Sequence, residues 1–75
     1  MSAIHNWYEV EEGDLVTEDT YPEVYEVFMR DGERWIRQVG WEVKTTKPVP
    51  PPGETERPCD FDPHFMYDQP WYRID

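Results

Sequence analysis

Two apolar-rich runs, residues 24–29 and 35–39, flank Asp31-Gly32. A type I′ turn needs positive φ at both central residues, so Asp-Gly between such runs predicts a β-hairpin. With a two-residue turn, paired positions sum to 63. Arg30 then faces Glu33, Phe28 faces Trp35, Glu26 faces Arg37 and Val24 faces Val39. On the other face Met29 meets Arg34, Val27 meets Ile36 and Tyr25 meets Gln38. Opposite-charge and aromatic pairs fall into line, each adding roughly 0.2–1 kcal/mol. A three-residue loop would set Arg30 against Arg34 and Val27 against Arg37, so the first register is preferred. The second strand is expected to continue through Trp41 and Val43, with Gly40 marking a bulge or bend.

Upstream, residues 4–10 read as another strand and Glu12-Gly13-Asp14 as a turn. Residues 15–17 read as a short strand, and Thr20-Tyr21-Pro22 as a connection. Four prolines among residues 48–52 impose polyproline II geometry and stop both helix and ladder. Asp62 and Pro63 could start one helical turn over residues 63–68. The expected fold is therefore mainly β. It is a small antiparallel meander of three to four strands, curled toward an SH3-like half-barrel. Its parts are a β-meander unit (1–47), a Pro-rich polyproline II linker (48–58) and an acidic-aromatic C-terminal arm (59–75). The expected core is Trp7, Val10, Val16, Val24, Phe28, Trp35, Ile36, Val39 and Trp41, covered by Phe65 or Trp71.

Composition sharpens this. Seventy-five residues allow one domain at most. The only Ile and Leu residues are Ile4, Leu15, Ile36 and Ile74, so twelve aromatic rings must carry much of the packing. Those are strand formers more than helix formers. One cysteine, Cys59, excludes a disulfide framework within the chain. No apolar run approaches the ~20 residues of a membrane span. The N-terminus lacks the basic start and apolar stretch of a signal peptide, so a cytoplasmic protein is expected (host cytoplasm if viral).

The net charge is −10, and it is sorted along the chain. Residues 1–29 hold eight acidic side chains and no Lys or Arg. Residues 30–47 hold five basic against three acidic, and residues 48–75 six acidic against two basic. Such a chain repels phosphate, which argues against direct nucleic-acid binding. An acidic third either repels itself in solution or faces something positive.

Catalytic and metal readings are weak. Residues 59–64 gather Cys59, Asp60, Asp62 and His64, but hard carboxylates beside a soft thiolate suit no single metal. An ordinary polar turn is the better account. No signature surrounds Cys59 as a nucleophile, and a small meander rarely supplies an oxyanion site. The pairs Glu11-Glu12 and Glu18-Asp19 flank turns and should be solvated, unlike a general acid in an apolar pocket. Residues 48–51 satisfy a bare PxxP core, but Gly53 stands where a further proline is required, so a rigid spacer fits better than an SH3 ligand.

What remains is a small acidic, non-enzymatic protein-binding protein with no cofactor. In length, acidity and aromatic load the chain resembles the small phage-encoded inhibitors of host defence or transcription, a likeness of type carried by no motif. It implies a protein partner whose basic, nucleic-acid-binding surface is blocked. Glu9, Glu11, Glu12, Asp14, Glu18 and Asp19 would steer the encounter, and Trp71 and Tyr72 would supply anchors. The alternative is a structural or accessory subunit of a large assembly, docked through its C-terminal arm.

Overall fold

A computed structural model describes residues 2–19, 21–59 and 70–75. The chain forms β1 (Ser2–Ala3), a 3-10 turn (Trp7–Glu9), β2 (Leu15–Glu18), β3 (Glu23–Arg30) and β4 (Glu33–Trp41). After these come α1 (Pro52–Thr55), β5 (Arg57–Pro58) and β6 (Trp71–Ile74). The six strands of the described residues join one open antiparallel sheet in the order β1-β6-β2-β3-β4-β5. β2, β3 and β4 are strands of the expected meander, whereas β5 falls in the stretch expected to be a polyproline II linker. β1 and β6 extend the sheet on the β2 side.

The β3–β4 hairpin has the predicted register from Arg30↔Glu33 to Tyr25↔Gln38. Asp31 at φ 52° and Gly32 at φ 79° supply the two positive angles of the turn. Beyond Tyr25 the register slips, and Val24 faces Gly40 rather than Val39. Val39 is the extra residue of a bulge, one position before the glycine that predicted it.

Residues 4–10 do not form the expected strand. The chain leaves β1 at Ala3 and closes a 3-10 turn instead. Asn6 Oδ1 accepts from the Tyr8 N–H at 2.9 Å, and Glu9 Oε2 accepts from the His5 and Asn6 N–H groups at 2.6 and 3.3 Å. This reciprocal cap satisfies donors that a strand would have sent to a neighbour. It also brings Ile4, Trp7 and Val10, spaced by three, onto one buried side.

That side lies against one face of the sheet. Ile4, Trp7, Val10, Val16, Val27, Ile36 and Trp71 make the core, with Tyr25 and Cys59 packed on it. Trp71 meets Trp7 and Tyr25 edge-on at 5.6 and 5.5 Å. The expected core therefore mixed two faces. Val27 and Ile36 are covered. Phe28 and Trp35, on the opposite face, are only half-buried, and Val39 is exposed. Among the described residues, the N-terminal segment is the lid, and it shields one face.

Beyond Lys47, where the β unit was expected to end, two further strands join the same sheet. β5 pairs with β4 at Trp35 and Ile36, and β6 lies between β1 and β2. Pro51 holds φ −54° and ψ 140°, polyproline II geometry, and leads into α1. Thr55 at the end of α1 accepts from the Gln38 N–H at 2.9 Å, capping an edge position of β4. The expected helical turn over residues 63–68, the cover by Phe65 and the cluster Asp60, Asp62 and His64 lie outside the described residues.

Candidate protein-binding surface

The predicted carboxylates fall into two groups. Glu9, Glu11, Glu12 and Asp14 precede β2, whereas Glu18 and Asp19 lie at its far end. At about 3.3 Å per residue, Asp14 and Asp19 are roughly 16 Å apart along the strand. That exceeds a Debye length of about 8 Å at physiological salt. The six are therefore split between the two ends of β2.

Several are also used by the fold. Glu9 is consumed by the cap described above. Asp14 Oδ2 accepts from the Glu11 N–H at 2.8 Å, which closes the turn before β2. Glu18 is half-buried, and desolvation raises its carboxyl pKa; Arg57 opposes that shift and Glu23 reinforces it. Glu11, Glu12 and Asp19 are exposed. The Asp19 N–H bonds to the Pro70 carbonyl at 2.9 Å, which ties the end of β2 to the start of β6.

Trp71 and Tyr72 sit inside the sheet. Trp71 is 3 % exposed and belongs to the core. Tyr72 pairs with Ala3 on one side and Thr17 on the other. Residues 71–74 are therefore not free to lie along a neighbour while the sheet is intact. Only long-range pairing buries them, and no local pattern signals that.

All five arginines make contacts within the fold. Arg30 pairs with Glu56 rather than with its cross-strand neighbour Glu33, and stacks 4.5 Å from the Trp35 ring and 5.3 Å from Phe28. Arg37 Nη2 meets Glu26 Oε1 at 3.0 Å, as the register predicts, and lies 4.7 Å from Phe28. These two guanidiniums cover the aromatic pair on the face the lid leaves open. On the other face, Arg34 Nε donates to the Val10 carbonyl at 2.9 Å and Arg73 Nη1 to the Glu9 carbonyl at 3.4 Å. Both pin the lid. Arg57 lies 5.2 Å from Tyr25 and 5.3 Å from Trp71. Arg73 also approaches Asp75 at 3.5 Å.

The open face carries a cleft that sequence reasoning missed as a site. It is lined by Leu15, Val24, Val39, Gly40, Trp41, Glu42 and Ile74, with a volume of about 540 Å³. Val39 is 42 % and Leu15 37 % exposed, while Val24 at its base is 8 % exposed. Gly40 was the available signal, since a glycine inside a strand marks a bulge or a close approach. Lys47 Nζ stands 5.7 Å from the Trp41 ring.

No group of three or more His, Cys, Asp or Glu side chains suited to a metal occurs among the described residues. Cys59 is half-buried, and its N–H bonds to the Arg34 carbonyl at 2.9 Å. No described helix is long and apolar enough to cross a membrane. Comparison with known proteins finds no matching family model, no matching curated protein and no matching solved structure.

Proposed function

We propose that this chain is a non-enzymatic binding protein whose partner presents a basic protein surface. The supporting observation is where the guanidinium groups go. Arg30, Arg37 and Arg73 are ion-paired, Arg34 is bonded to a lid carbonyl, and Arg57 stacks on two core rings. Guanidiniums committed to the chain's own groups are poorly placed to recruit an anionic partner. The surplus of carboxylates sets the sign of the field at a distance, and net charge steers encounters even where no single patch is continuous.

This moves the weight of the reading from a local acidic patch to the whole molecule. Of the six predicted carboxylates, Glu11, Glu12 and Asp19 are the best placed to contribute, because they are exposed. The narrower form is a phage-type inhibitor that blocks a nucleic-acid-binding surface of a host protein. It draws on the charge balance alone.

The test is capture of a partner at low ionic strength, followed by titration of the purified pair with salt. The variant E11Q/E12Q/D19N moves the net charge from −10 to −7. It should bind more weakly, and its affinity should depend less steeply on salt. A partner held equally well at low and high salt, or by both proteins alike, rules the reading out.

A further inference from the structure

The cleft on the open face combines an apolar lining with a carboxylate, that of Glu42. A bulge sets Val39 outward beside Gly40. A β-carbon built on Gly40 would meet nothing within 4 Å, so the backbone there borders open space. Leu15, Val24 and Ile74 supply aliphatic walls, Trp41 an aromatic one, and Glu42 a carboxylate at the rim. The Trp41 indole N–H is screened from solvent and meets no acceptor among the described residues. An unsatisfied buried donor costs about 1–3 kcal/mol. A volume of about 540 Å³ is within the usual span of roughly 300–1,000 Å³ for ligand pockets.

We propose that this cleft is the docking groove for an extended, basic peptide segment of the partner, which seats one aliphatic side chain over Gly40 and a neighbouring Lys or Arg against Glu42. The proposal rests on the basic-partner reading above and adds the place and chemistry of contact. Charge decides the occupant. A second copy of this chain would bring its own −10 to the same face and be repelled. An acidic segment would gain only Lys47, beside the Trp41 ring, and would meet Glu42 and the field of the whole molecule. A cationic segment is attracted by both, and its apolar side chain gains by leaving water for the aliphatic walls. A carbonyl of the bound segment would give the Trp41 indole the acceptor it lacks once that ring adjusts.

The test uses the full chain and synthetic peptides followed by amide and indole NMR shifts. The probes are a short peptide of alternating Lys and Leu, one of Lys and Ser, and one of Glu and Leu. The Lys-Leu peptide should bind tightest and shift the Val39, Gly40 and Trp41 signals. Gly40→Leu fills the groove where space is open, and should reduce its affinity at least tenfold while leaving the circular dichroism unchanged. Gly40→Ala, a smaller filling, should give an intermediate loss and guards against misfolding of the larger variant. Glu42→Gln should weaken the Lys-Leu peptide more than the Glu-Leu peptide. Equal binding of Lys-Leu and Lys-Ser, or binding indifferent to Gly40→Leu, overturns the groove while leaving the basic-partner reading intact. Tighter binding of Glu-Leu than of Lys-Leu overturns both.

Discussion

At the scale of single residues, two glycines separate conformation from space. Gly32 sits at φ 79° in the hairpin turn, where an L side chain is strained although nothing crowds it. Gly40 has open space and no positive φ. Gly32→Ala should therefore cost about 1–2 kcal/mol. Gly40→Ala should be neutral or stabilising by up to about 1 kcal/mol, because it restricts the unfolded chain. Chemical denaturation of both variants checks the contrast. Glu18 shows how burial acts on a carboxylate. Desolvation raises its folded pKa, so the native state holds its proton more tightly than the unfolded chain does. Stability should then fall as pH rises from the ordinary carboxylate range through the raised value, and the cost is fully present above it. Glu18→Gln should flatten that fall, measured by unfolding midpoints across mildly acidic pH. A variant whose pH profile matches the parent would contradict it. Glu9 was legible as more than a solvated charge: Asn6 followed three residues later by Glu9 spells a capping box. Reading the neighbourhood as a strand hid that signal.

At the scale of elements, the chain was readable where the determinants are local. Asp31-Gly32 sets the hairpin because two adjacent residues meet the demands of the turn, and the charge and aromatic pairs fix the register up to the bulge. Ile4, Trp7 and Val10 were misassigned because their spacing of three was overridden by the strand preference of Trp, Tyr and Val. β6 was invisible as a strand because its partners lie more than fifty residues upstream, at Ala3 and Thr17. Asn6→Ala should remove one side of the cap and cost about 1 kcal/mol. Removing residues 48–75 should do far more. It deletes β5 and β6, withdraws Trp71 from the core and leaves Val16 uncovered. Loss of Trp71 alone should cost about 3–5 kcal/mol as Trp71→Ala, so the truncated chain should lack cooperative thermal unfolding. A truncated chain that melts like the parent would refute the topology.

At the scale of the whole molecule, the six carboxylates expected to steer an encounter lie at both ends of β2 rather than at one. The net charge of −10 is a surplus left after the arginines have been engaged by both faces of the sheet. That surplus should repel itself, so moderate salt should raise the melting temperature, since exposed ion pairs lost to screening are worth little. The cleft was not legible because it depends on a one-residue slip at Val39 and on which face the lid covers. Both are settled by tertiary packing. The most direct measurement is the association rate of the protein with its captured partner across ionic strength. Steering by a net negative field predicts a steep fall in that rate with salt and little change in dissociation. A rate that stays flat from low to high salt would contradict the account.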